Sequence, residues 1–200
     1  MKVAKIISIL GHPMFMPLMA VFLLLQFNPY INQNISPSLQ KIVFGTIALF
    51  TIILPLLTAF TLKQFKLISS IYMQSKEERI WPFSLTLLWY YFCFEILIKL
   101  NLPNTVYLMF IGAIAVISAA LLITFYWKIS LHMLGIGGLI GALVGISYRF
   151  DLNWILLICA SILIAGFIGY ARLKTNSHNF KQIYFGFIFG FIIEIIVVLL

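Results

Sequence analysis

Residues 153–200 read NWILLICASILIAGFIGY (153–170), ARLKTNSHNFKQ (171–182) and IYFGFIFGFIIEIIVVLL (183–200). Each outer run approaches the ~20 apolar residues that carry a helix across a bilayer. Both runs are continuously apolar and read as membrane spans. The stretch between them holds Arg172, Lys174, Lys181 and His178, one of three histidines in the chain. Charged groups beside membrane-length hydrophobic sequence are costly unless they sit at an interface or line a polar cavity, which makes this stretch a candidate site.

The rest of the chain has the same character. Of 200 residues, 63% are hydrophobic and 9% charged, against about 25% charged in a soluble domain. This excludes an ordinary soluble protein and leaves a single membrane domain over residues 1–200. The expected class is all-α, a polytopic transmembrane helical bundle of six or seven spans. Thirteen Lys and Arg face only Glu77, Glu78, Glu95, Asp151 and Glu194, a formal charge of +8. In a membrane protein such an excess reads as topology, as attraction to anionic lipid or substrate, or as both. No nucleic-acid partner is expected. Cys93 and Cys159 lie in apolar runs and carry no redox information. The N-terminal MKVAKIISILGHP lacks an A-x-A-like cleavage site and is expected to be retained.

Residues 13–27 form a short run containing Pro13 and Pro17, too short to cross unless the helix starts near Val3; a kinked span and a re-entrant segment both fit. Residues 28–40 read as a loop. Further runs cover 42–62, 81–99 with Pro82 suited to a first turn, 105–127, 131–148, 153–170 and 183–200. The short 101–104 turn predicts an antiparallel hairpin. Gly137, Gly141 and Gly145, and likewise Gly186 and Gly190, recur every four residues within spans, the spacing of a close packing face. Counting crossings puts segments 63–81, 127–132 and 171–182 on one face. The other face holds Lys41, Lys99 and Arg149.

On the first face, His132 and His178 stand near helix starts among Lys76, Arg79, Lys128, Arg172 and Lys174. Two imidazoles with fixed cations suit phosphoryl transfer: one attacks phosphorus, the other protonates the leaving oxygen, and the cations hold the equatorial oxygens. The plainer alternative is a set of polar interface anchors. A metal site from His12, His132 and His178 is disfavoured, because their spacing matches no local ligand motif and no carboxylate assists.

These residues resemble the type-2 phosphatidic acid phosphatase superfamily of membrane lipid phosphatases. The third part of that signature is Ser-Arg, five residues, His, three residues, Asp; here Ala171-Arg172, five residues, His178, three residues, Gln182 keeps the spacing. The second, Pro-Ser-Gly-His, matches Ile129-Ser130-Leu131-His132 at Ser and His. In the first, Lys, six residues, Arg-Pro, Arg79 precedes Pro82 and the lysine position is Tyr72, with Lys76 nearby. The resemblance covers residues 76–190, within a phosphatase-like core of about 63–200. It implies His178 as nucleophile forming a phosphohistidine, His132 as general acid, Arg79 and Arg172 as phosphate-binding cations and Ser130 as a hydrogen-bond donor, with no metal and no cofactor; Lys76 and Lys128 are further candidate phosphate-binding cations by their nearness to these positions. Gln182 replaces the aspartate that orients the nucleophile; Glu77 or Glu78 could supply the missing charge.

The implied substrate is a phosphate monoester or diphosphate on a lipid or isoprenoid tail, and the implied location the bacterial inner membrane. The positive-inside rule places the motif face in the cytoplasm, whereas many bacterial relatives carry the site outside. Two alternatives stand beside a phosphatase: a non-catalytic lipid-phosphate binding or transport protein with a degenerate site, and a structural membrane subunit.

Overall fold

The computed structural model describes residues 2–70, 73 and 75–200, and among them every regular element is helical. Among the described residues, seven helical stretches are long and apolar enough to cross a membrane. Their outward faces carry large apolar side chains, such as Leu156 at 83% exposure and Leu163 at 67%. Water would not tolerate so continuous an apolar exterior, and lipid favours it. The architecture is that of an integral membrane protein.

The first stretch, Lys2–Phe27, comprises α1 (Lys2–Leu10), a 3₁₀ turn over Pro13–Phe15 and α2 (Met16–Phe27). Gly11 and His12 lie in the break, and Pro13 and Pro17 follow it, where a missing amide cannot continue the helix upstream. At one end of the bundle Ser8 meets His132 and Arg172. At the other, Trp154 Nε1 donates to the Phe27 carbonyl at 3.1 Å. The run is therefore a kinked traverse of the bundle that starts at Lys2, not a re-entrant segment.

The 28–40 segment is more helical than composition suggests. Asn28 accepts from the Ile31 amide at 3.2 Å and opens α3 (Pro29–Gln33). Ser36 accepts from Leu39 at 3.3 Å and opens α4 (Pro37–Ala48). Asn-Pro and Ser-Pro are each an N-cap followed by proline at the first helical position. A π-helical segment, Leu49–Ile53, joins α4 to α5 (Leu54–Gln64). Pro55 explains it: the ring removes the amide that would bond Thr51, and the Leu54 amide reaches back to Leu49 instead.

Helix α6 (Glu77–Ile98) begins four residues before Trp81, so Pro82 sits in its second turn. It pairs with α7 (Asn104–Tyr126) as the predicted hairpin, whose turn places Asn101 at φ 49° and lets the Tyr107 hydroxyl accept from the Leu102 amide at 2.6 Å. Then follow α8 (Leu131–Arg149), α9 (Ile155–Lys174) and α10 (Phe180–Leu199). Helix α9 outlasts its apolar run, so Arg172 and Lys174 belong to its last turn, where cations complement the helix dipole.

Helix α8 is the axis: 72% of its apolar window is buried, against 22–28% for the other spans. Its glycine stripe meets the stripe on α10. A Cβ at Gly137 would run into the Phe187 carbonyl, at Gly141 into that of Phe191, and at Gly190 into that of Leu134; at Gly186 it would lie 2.8 Å from the Ser130 carbonyl. The two backbones touch, as small-residue faces allow. Gly190→Ala should destabilise the purified protein by about 1–3 kcal/mol, because carbonyl groups cannot move aside as a side chain could. Gly166→Ala, where a Cβ meets nothing within 4 Å, should be neutral or stabilising. Thermal unfolding of both variants in one detergent checks the contrast.

Candidate functional site

At the end of the bundle where the three polar segments meet, a cavity of about 1030 Å³ opens among the helices. Arg79, Lys128, His132, Arg172 and His178 all line it, together with Lys5, Ser8 and His12 of the first span. Residues as far apart in sequence as Lys5 and His178 thus line one space, with both histidines and both arginines among them.

The segment before α10 fixes His178. Asn179 is the N-cap: its side chain accepts from the Gln182 amide at 3.0 Å, while the Asn179 amide donates to Gln182 Oε1 at 3.2 Å, a reciprocal capping box. His178 Nδ1 lies 2.9 Å from the same Oε1. A backbone amide can only donate, so the atom it faces is the Gln182 carbonyl oxygen, and His178 must donate to it from Nδ1. The lone pair is then on Nε2. Burial first, and then the charges of Arg79, Arg172 and Lys128, hold His178 down at about 3 despite the opposing effect of Gln182. It is neutral at physiological pH. Lys128 is also held below the usual lysine range, by partial burial and then by Arg79 and Arg172.

The arginines differ in what they have left to offer. Arg79 is buried in the first turn of α6 and tied at Nε to the Met73 carbonyl (3.2 Å) and at Nη1 to that of Ile129 (3.0 Å). Arg172 makes a long contact from Nη1 to Ser8 Oγ, 3.4 Å, and its Nε is buried with no partner. Ser130 is likewise buried with an unpartnered Oγ, while its amide donates to the Gln182 carbonyl at 3.3 Å. Unsatisfied buried donors are rare and costly in a finished fold; Arg172 lines the cavity, whereas Ser130 is fully buried and does not.

His132 Nε2 lies 3.0 Å from the Ser8 carbonyl, which can only accept, so its proton sits on Nε2 and Nδ1 is the free nitrogen. The His12 ring stands edge-on to it, centroids 5.1 Å apart. Among the described residues no three His, Cys, Asp or Glu groups gather as metal ligands.

Other expected residues lie elsewhere. Lys76 does not line the cavity; its ammonium donates to the Phe125 carbonyl at 3.0 Å, at the C-terminal end of α7. Gln182 reaches the site only through His178. Neither Glu77 nor Glu78 lines the cavity, and Glu78 accepts from the Ser69 amide at 2.7 Å. Tyr72 falls outside the described residues. The contributions of Lys5 and Ser8 had no signal in the sequence. His12 had one, the Gly-His-Pro break in an apolar run. So did Glu194 of the cavity lining, the single carboxylate in the last span.

No family model, curated protein or solved structure matches this chain. The site must be read from its own geometry.

That geometry makes His178 an unprotonated nucleophile over an unusually wide range. Its carbethoxylation by diethyl pyrocarbonate, mapped by mass spectrometry, should stay constant from about pH 8 to about pH 5, where an ordinary imidazole of pKa about 6.5 loses most of its reactivity. The sign follows from the depressed value: protonation sets in only near 3.

Proposed function

We propose that the protein is a metal-independent membrane phosphatase acting on a phosphate monoester or diphosphate of a lipid or isoprenoid. The observation that carries this reading is the neutral His178 with its Nε2 lone pair free, in a cavity that Arg79, Lys128 and Arg172 make cationic. The resemblance of the 76–190 region to type-2 phosphatidic acid phosphatases supports it, because four of the resembling positions, Arg79, His132, Arg172 and His178, line one cavity.

The reaction would run in two balanced steps. Nε2 of His178 attacks phosphorus and the phosphorus–oxygen bond to the lipid breaks. The leaving oxygen takes a proton from Nδ1 of His132, which gains that proton only once the anionic substrate occupies the cavity, while its Nε2 proton stays with the Ser8 carbonyl. Water then attacks the phosphohistidine, His132 Nδ1 accepts its proton, and inorganic phosphate leaves with His178 restored. Arg172 and the uncommitted N–H groups of Arg79 are the cavity-lining donors available to the equatorial oxygens.

Gln182 does half of what a carboxylate would do there. It fixes the productive tautomer, since the Asn179 amide aims its oxygen at His178, but it brings no negative charge to a phosphorylated imidazole. In a serine protease, loss of the analogous carboxylate costs about 10⁴ in rate, partly through the wrong tautomer. A slow enzyme follows from this. The same feature favours a second reading, a lipid-phosphate binding or transport protein that holds the head group without turnover.

Phosphate release from phosphatidic acid, phosphatidylglycerol phosphate and polyprenyl diphosphate by purified protein separates the two. His178→Ala should abolish release and Arg172→Ala should reduce it by about 100-fold or more. Gln182→Glu should raise it by about tenfold, the difference between a neutral and a charge-assisted hydrogen bond. Undiminished turnover by His178→Ala would refute the mechanism, and saturable binding without release by the wild type would favour the binder.

A further inference from the structure

The cavity continues well past the groups that would hold phosphate. It reaches Glu194, fourteen residues beyond Phe180 on α10, a depth of about 21 Å at 1.5 Å per residue. That is beyond the midplane of a hydrocarbon core about 30 Å thick. Its volume, about 1030 Å³, is at the upper end of the ~300–1,000 Å³ of small-molecule pockets, and a phosphate group fills little of it.

Between mouth and floor the walls are mostly apolar, with Met16, Phe83, Phe110, Val116 and Leu139 among them and Thr86 and Tyr90 interspersed. The floor is not. Glu194 is 5% exposed and makes no hydrogen bond or ion pair among the described residues. Gly112 leaves the room for its carboxyl group, into which a Cβ there would run. Thr51 also lines the cavity, with its buried Oγ1 unpartnered, in the π-helical segment of the second span. Mostly apolar walls behind a cationic mouth match one ligand chemistry, an anionic head on a single hydrocarbon chain.

We propose that the inner cavity is a chain-binding chamber, which takes the single alkyl or prenyl chain of a phosphorylated lipid into the bundle and ends it at Glu194. The chain lies inside the protein instead of in the surrounding bilayer. Glu194 sets the limit, because a chain end pressed against the carboxyl group strips its remaining hydration without offering a hydrogen bond. The orientation of the ligand rests on the phosphate reading of the mouth; the chamber itself does not.

The test uses the wild-type chain in lipid nanodiscs. Hexadecyl phosphate, whose extended chain matches the depth, carries a photoreactive diazirine at the chain end, and mass spectrometry maps the labelled residues. The proposal expects labelling at Glu194 and its neighbours Gly112 and Gly138, suppressed by excess unlabelled hexadecyl phosphate. The shorter decyl analogue should mark the wall nearer the mouth, around Phe83. Labelling confined to outward-facing residues such as Leu163 and Phe167, or labelling at Glu194 that is independent of chain length, would overturn it. Phosphate release is scored separately. Release with only outward labelling removes the chamber and leaves the phosphatase, whereas chamber labelling without release removes the phosphatase and leaves the chamber.

Discussion

The contact between the backbones of α8 and α10 is the constraint on which the rest depends. Gly137 and Gly141 on one helix and Gly186 and Gly190 on the other remove the side chains that would otherwise hold the two apart. In lipid there is little hydrophobic drive for helices to associate, so close packing and hydrogen bonding must supply it. The contact also sets register. With Gly186 against the Ser130 carbonyl, the Ser130 amide meets the Gln182 carbonyl, and the start of α8 is pinned beside the start of α10. His132 and His178 stand at these two starts.

Around that pair the remaining spans supply cations without partners of opposite charge. Arg79 comes from the first turn of α6, Lys128 from the connection between α7 and α8, Arg172 from the last turn of α9 and Lys5 from α1. Among the described residues no carboxylate lines the mouth, and Glu194, the one acidic group of the cavity lining, lies fourteen residues along α10 from Phe180. Mutual repulsion and desolvation make the empty arrangement expensive, and an anion relieves both. The electrostatics of this cavity therefore favour an anion over a cation. The neutral state of His178 is part of the same effect, since the burial and cations that would receive the ligand also keep the proton off the imidazole.

Much of the site was legible in the sequence, and the reasons differ residue by residue. His178 and Arg172 stood out because polar groups inside membrane-length sequence demand an explanation. Gln182 was visible by spacing, but its role was not. That its oxygen faces His178 depends on the Asn179 amide, a cap that forms only once α10 starts at Phe180. Lys76 sits close to Arg79 in sequence yet turns to the end of α7, because the start of α6 points the two side chains to different neighbours. His12, Ser8 and Lys5 reach the cavity only because the first span breaks at Gly11–His12 and folds against α8 and α9.

The sequence by itself determined that this is a helical membrane protein, how many apolar segments it has, which polar loops share a face and which glycines form a packing stripe. Each of these is a local property: transfer of a segment into hydrocarbon, alternation of crossings, or periodicity along one helix. The tertiary structure decided which stripe meets which, that the interruption at 171–182 closes over a deep cavity, and that Glu194 forms its floor. Those outcomes turn on shape complementarity between surfaces far apart in the chain, where a backbone carbonyl either clears a missing Cβ or collides with a present one, and no local pattern records that fit.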